Sequence, residues 1–183
     1  MHFKNLNFFC YIDSYNSTLI KKLPNTTSVI YRNYKDKIDI NTILKIKNDC
    51  KKNNLKFYLS NNVKLAIKLD LNGSYIPAFN KELTINLLKY KKDFKILGSA
   101  HNIKEIRIKE LQNVEYIFLS PLFASNKNKN CLEIYRFKSL MKLSKKKIIA
   151  LGGISAQNLK KLNLIKPLGI ASISLYSSYH KLK

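Results

Sequence analysis

Eight short apolar runs recur along this chain with seven helix-like stretches between them, and no other sequence feature narrows the possible folds as much. The runs are Phe8–Ile12, Ser28–Tyr31, Lys56–Leu59, Gly73–Ile76, Lys95–Gly98, Glu115–Leu119, Lys147–Leu151 and Gly169–Leu175. Bounded by polar residues, they have the length and composition of strands buried in a parallel sheet. The helix candidates are Ser14–Leu23, Asn41–Lys52, Asn62–Leu69, Lys81–Lys91, Ile103–Leu111, Phe137–Leu143 and Ala156–Leu164. Asn41–Lys52 is the clearest of these, with Ile43, Leu44, Ile46 and Cys50 forming an apolar stripe. Right-handed crossovers between parallel strands leave an eight-stranded barrel or an open, doubly wound sheet. The reading taken is α/β, a small (β/α)8 TIM barrel in a single domain, 1–183. A chain of 183 residues is short for a fold that usually needs roughly 200 or more, so the loops must be minimal. Only eight residues follow Leu175, which implies a truncated last helix and an edge covered by self-association.

The stretch Lys147–Ser155, KIIALGGIS, carries the most local chemistry. After the strand, Gly152 and Gly153 permit a sharp turn that presents backbone N–H groups. Ser155 is placed to cap the following helix. Strand, glycine pair and helix start together suit an anion, and Gly169–Leu175 follows closely as another strand. A phosphate held between the last two strands of a barrel is one reading; an ordinary strand–turn–helix is the other.

The formal net charge of +23 comes from 34 Lys and Arg against 11 Asp and Glu. Arginine, the better fork for phosphates and bases, occurs only at Arg32, Arg107 and Arg136. Lysine is spread along the whole chain beside abundant Asn and Ile, a pattern of compositional drift more than of a nucleic-acid-binding face. Cys10, Cys50 and Cys131 have neither metal-knuckle nor disulfide spacing, and a reducing cytoplasm is the expected setting. No apolar run reaches the roughly 18 residues of a membrane span, and no secretory signal is recognisable at the N-terminus.

Five motifs in order resemble the thiamine-phosphate synthase and TenI family over about Val29 to Ser177. They are Val63-Lys-Leu-Ala66, Leu97-Gly-Ser-Ala-His101, Tyr116-Ile-Phe-Leu-Ser-Pro-Leu-Phe123, Ile149-Ala-Leu-Gly-Gly-Ile154 with Asn158, and Gly169-Ile-Ala-Ser-Ile-Ser174. The resemblance implies a TIM barrel, usually dimeric. It also implies an enzyme that joins hydroxymethylpyrimidine diphosphate to thiazole phosphate with Mg2+, giving thiamine phosphate and pyrophosphate. The alternatives within it are a TenI-like thiazole tautomerase, which needs no metal, and a catalytically idle barrel that binds thiazole phosphate. Small anionic substrates are the expected partners, with no membrane and no nucleic acid.

Carried over by position, the resemblance gives Arg32 and Lys35, from a Q-L-R-x-K pattern, to the diphosphate. Ile30 stands where that pattern has glutamine. Ser99 would bond a phosphate oxygen, and His101 would act as acid and base. Ser125, with Lys127 or Lys129, would neutralise diphosphate. Gly152, Gly153, Ile173 and Ser174 would hold the thiazole phosphate. Asn61 and Asn80 occupy the two positions at which synthases carry Mg2+-binding aspartates, so no residue is assigned to metal with certainty.

Overall fold

A computed structural model of the chain describes residues 6–35, 39–83, 92–125 and 129–172. Eight strands close into a barrel in sequence order, and every neighbouring pair is parallel, β1 with β8 included. The strands are β1 (Asn7–Ile12), β2 (Thr27–Tyr31), β3 (Lys56–Ser60), β4 (Gly73–Ile76), β5 (Lys95–Ala100), β6 (Tyr116–Leu119), β7 (Lys147–Leu151) and β8 (Gly169–Ser172). The helices are α1 (Ser17–Lys22), α2 (Ile40–Lys52), α3 (Val63–Lys68), α4 (Ile103–Leu111) and α5 (Glu133–Leu143). The expected barrel is therefore the observed one, and the open sheet is excluded.

Alternation along the strands builds two cores. Phe9, Tyr11, Ile30, Tyr58, Tyr75, Leu97, Phe118, Ile149 and Ala171 pack together as one cluster, one or two residues from each strand. Their alternates, such as Cys10, Val29, Phe57, Ile96, Ile117 and Ile148, join Ile20, Ile43, Ile46, Ala66, Ile106 and Phe137 from the helices in a second. A closed barrel requires this inside–outside division. The inner cluster is strongly aromatic. Phe118 meets Phe9, Tyr75 and Tyr11 edge to face, with centroids 4.8, 5.4 and 6.1 Å apart.

The abundant asparagines have structural work to do. Asn16, Asn62 and Asn102 precede α1, α3 and α4, and each side chain accepts the N–H three residues on, satisfying a donor the helix leaves open. Asn54, Asn61 and Asn113 take left-handed backbone, φ 54°, 56° and 52°. Asn tolerates this conformation better than most residues with a Cβ, and the chain has only five glycines.

One helix expectation changes. No α-helix occupies Ala156–Leu164; a 3₁₀ helix spans Leu159–Leu164. Ser155 caps nothing with its side chain: its N–H is accepted by Asn158 Oδ1 at 2.9 Å. Of Lys81–Lys91, residues 81–83 are not helical and 84–91 lie outside the described residues.

Candidate functional site

At the C-terminal end of the barrel, where enzymes of this architecture assemble their chemistry from βα loops, a cavity of about 320 Å³ opens. It is lined by Arg32, Tyr34, Tyr75, Pro77, Ala78, Phe79, Ser99, His101, Glu105, Ser120 and Leu151. Three residues expected from the sequence, Arg32, Ser99 and His101, thus meet in one wall. A hollow of about 390 Å³ at the other end, between α2 and the start of β3, lies on the face that contributes stability in such barrels.

His101 follows β5 directly and is tied to the first turn of α4. Glu105 Oε2 accepts the His101 backbone N–H at 2.7 Å and contacts the ring Nδ1 at 2.8 Å. Glu105 Oε1 accepts from Asn102 Nδ2 at 3.0 Å, while Asn102 Oδ1 caps the Glu105 N–H at 3.0 Å. Burial pushes the Glu105 carboxyl up, but the hydrogen bonds from His101 and Asn102 and the imidazole charge outweigh it and hold the pKa below the usual value. An ionised carboxylate only accepts, so His101 Nδ1 carries a proton in this pair and the ring's other nitrogen, Nε2, is the one left for a substrate. Sequence reasoning did not include Glu105. Its signal was the Asn102-Ile-Lys-Glu105 capping pattern, one residue beyond His101.

Below this dyad lie the phenols. Arg32 sits over the Tyr11 ring, 4.8 Å from its centroid, and Tyr11 meets Tyr75 edge to face at 5.5 Å. Burial raises the pKa values of both phenols, with the neighbouring Ser99 hydroxyl pulling Tyr75 back. The buried Tyr11 hydroxyl has no partner at hydrogen-bond geometry, although Tyr75 acts on it electrostatically. Ile30, in the glutamine position of the family pattern, is fully buried in the barrel centre and makes that floor apolar.

The β2–β4 side differs most from the sequence expectation. Two residues past Arg32, where the pattern places lysine, stands Tyr34; Lys35 is exposed and is not part of the cavity wall. The Tyr34 hydroxyl bonds Ser60 Oγ at 2.7 Å, and its ring meets Phe79 edge to face at 5.4 Å. Asn80 Nδ2 donates to Asn61 Oδ1 at 2.8 Å, so the two asparagines are joined to each other. Mg2+ asks for hard anionic oxygens in near-octahedral geometry. A neutral amide pair that already uses one of its oxygens internally does not fit that ion. Among the described residues no group of three or more His, Cys, Asp or Glu is placed to hold a metal.

A lysine that sequence reading did not single out organises this side. Lys109 of α4 is fully buried and donates to Pro77 O, Asn80 O and Gln112 Oε1 at 2.9, 2.7 and 2.8 Å. Gln112 Nε2 adds bonds to Asn80 O and Glu82 O. The segment carrying Ala78, Phe79 and Asn80 is thereby pinned to α4. Burial lowers the Lys109 pKa from 10.5 to about 8, with Glu105 acting in the opposite direction.

On the β6–β7 side, Gly152 and Gly153 have φ of +93° and +66°. A Cβ on Gly152 would meet Pro121 Cα at 2.8 Å, and one on Gly153 would lie 2.2 Å from Phe123 O. The β6 loop packs directly onto the pair, and Phe123 N donates to Gly152 O at 3.1 Å. Asn158 Nδ2 holds Gly153 O at 2.7 Å. Ser125 and Lys129 are exposed and lie outside the cavity wall. Lys127, Ile173 and Ser174 lie outside the described residues.

A closed parallel barrel with a cavity at the C-terminal ends of its strands defines a (β/α)8-barrel protein. The chain belongs to the thiamine monophosphate synthase family, whose profile matches residues 17–176. It is 28% identical over 130 residues to a thiamine-phosphate synthase of Staphylococcus carnosus, covering 68% of this chain and 60% of that protein. It is also 28% identical over 114 residues to one of Bacillus cereus, covering 60% and 51%. The matched region therefore spans only about half to three fifths of these relatives' length. The fold aligns with the thiamine phosphate pyrophosphorylase of Pyrococcus furiosus at a TM-score of 0.74 and 14% identity, over 93% of this chain and 86% of that one. No helix among the described residues is long and apolar enough to cross a membrane.

Proposed function

We propose that this protein is a metal-independent enzyme of thiamine biosynthesis that binds a phosphorylated thiazole and shifts a double bond in it by proton transfer. The observation that carries the reading is the His101–Glu105 dyad in the cavity wall. Glu105 fixes the Nδ1–H tautomer, leaving His101 Nε2 to take a proton from one carbon of the substrate. The same nitrogen returns a proton at another carbon, so charge and atoms balance over the cycle. A positioned base of this kind accelerates proton transfer by about 10²–10⁴-fold. In this reading the phosphate goes to the glycine pair Gly152 and Gly153, with Ile173 and Ser174, which follow β8 in the sequence. Two chains form the working unit.

A second reading is the condensation of hydroxymethylpyrimidine diphosphate with thiazole phosphate, favoured by the position of Arg32 in the cavity wall. A guanidinium there can fork onto a diphosphate. Arg32 and the lysines Lys127 and Lys129 would then have to neutralise the leaving group, since Asn61 and Asn80 offer no carboxylate.

The test of the first reading is solvent-deuterium incorporation into thiazole phosphate, followed by NMR with chelator present. Wild-type protein should catalyse the exchange, and His101→Asn should lose about 100-fold or more. Equal rates in the two would overturn the assignment.

A further inference from the structure

The packing of the barrel leaves one buried polar group unused. The Tyr11 hydroxyl is shut off from solvent and has no hydrogen-bond partner among the described residues; the whole side chain is only 3% exposed. Burying a hydroxyl without a bond costs free energy that a phenylalanine of the same shape would not. Phe9 and Phe118 of the same inner cluster show that phenylalanine packs there. Opposite Tyr11 on β2 stands Ile30, which offers no polar side-chain atom. A hydroxyl kept in such a core calls for a partner that arrives from outside.

The neighbours of this phenol are cavity residues. Arg32, Tyr34 and Tyr75 act on it electrostatically, and all three line the mouth. The Arg32 guanidinium lies over the ring, 4.8 Å from its centroid. Tyr75 and Phe118 meet the ring edge to face at 5.5 and 6.1 Å. Held among these groups, the hydroxyl is ordered before any ligand enters. Tyr75, by contrast, has the Ser99 hydroxyl beside it. Arg32 is half-buried and is the one long, jointed neighbour, free to swing off the ring toward an anionic ligand.

We infer that Tyr11 is a specificity-determining residue, whose hydroxyl donates a hydrogen bond to a neutral lone-pair acceptor at the innermost end of the bound small molecule. The acceptor is neutral because the hydroxyl sits among hydrocarbon and rings, while an anionic group is drawn to Arg32. A ligand without such an atom leaves the hydroxyl unpaired and binds more weakly. The inference rests on the proposed function only for its first probe, thiazole phosphate.

Tyr11→Phe in the full chain tests it, through two measurements that need no turnover. In thermal unfolding without ligand, the variant should melt about 2–4 °C above the wild type, because an unpaired buried hydroxyl has gone. Calorimetry with thiazole phosphate, and separately with hydroxymethylpyrimidine diphosphate, should show the variant binding at least one of them about tenfold more weakly. Loss with the pyrimidine diphosphate alone would keep the inference and count against the thiazole reading. A midpoint no higher than that of the wild type would mean that the hydroxyl is already paired, and would overturn the inference. So would equal behaviour of the two proteins toward both probes, absence of binding included. The proposed function fails separately, on the proton-exchange assay of His101→Asn.

Discussion

Glu105 decides what His101 can do. Its carboxylate takes both the backbone N–H and the ring Nδ1 of the histidine, which leaves one nitrogen for chemistry. Glu105→Gln removes the anionic acceptor and allows the other tautomer, so the exchange rate at His101 should fall by roughly tenfold or more. The pH dependence has a definite sign. Because the folded pKa of Glu105 is held below its ordinary value, its bonds stabilise the protein above about pH 4.3. That stability is lost as pH falls through the lowered value. Unfolding midpoints measured from pH 3 to 6 should therefore converge between wild type and Glu105→Gln at the acid end. A constant difference would mean that ionisation of Glu105 contributes nothing. The motif around His101 made that residue legible in the sequence. Tyr34 escaped notice because Lys35, the next residue, invited a charge-for-charge reading.

At the scale of the element, α4 carries the most unexpected packing. Hydropathy would bury Leu111 and expose Lys109, yet Leu111 is 61% exposed and Lys109 is 0% exposed. The cause is the segment after β4, whose carbonyls at Pro77 and Asn80 need donors once covered. Lysine reaches them and methionine cannot, so Lys109→Met should cost about 2–3 kcal/mol and free the segment bearing Phe79. The buried ammonium has the same pH sign as Glu105 in a different window, since both folded pKa values lie below the ordinary ones. Its folded pKa of about 8 lies below the ordinary 10.5, so the unfolded chain binds more protons between those values. The stability of the wild type relative to Lys109→Met should rise across that window, as read by denaturant titration at several pH values. The turn after β7 is fixed by shape instead. Gly153→Ala would add a Cβ at a φ of +66° against Phe123 O, and should cost about 2 kcal/mol or more while displacing the β6 loop. Strand, glycine pair and strand were legible as a pattern. Replacement of the expected helix by a 3₁₀ turn was not, because it depends on the Asn158 side chain folding back on Gly153 O and Ser155 N, which spacing does not show.

For the whole molecule, periodicity was enough to predict eight parallel strands, since buried parallel strands write themselves as short apolar runs, but it left barrel and open sheet both possible until the β1–β8 pairing was seen. What it could not give was the content of the barrel. Phe9, Tyr11, Tyr58, Tyr75 and Phe118 fill the interior, and only the closed register shows that they meet. Phe118 is fully buried and touches three other rings. Phe118→Ala should therefore destabilise the fold by about 3–5 kcal/mol, visible as a lowered denaturation midpoint. The mouth was half legible: Arg32, Ser99 and His101 converge, while Lys35, Ser125 and Lys129 stay on the surface, because side-chain direction at a loop is not encoded by spacing.

The central claim is that this family member acts without a metal. The direct measurement supplies the purified chain with hydroxymethylpyrimidine diphosphate and thiazole phosphate, with Mg2+ in one arm and chelator in the other. Thiamine phosphate and proton exchange on the thiazole are followed together. The account predicts exchange at the same rate in both arms and no Mg2+-dependent thiamine phosphate. Thiamine phosphate formed with Mg2+ and lost with chelator would contradict it and make condensation the activity of this barrel.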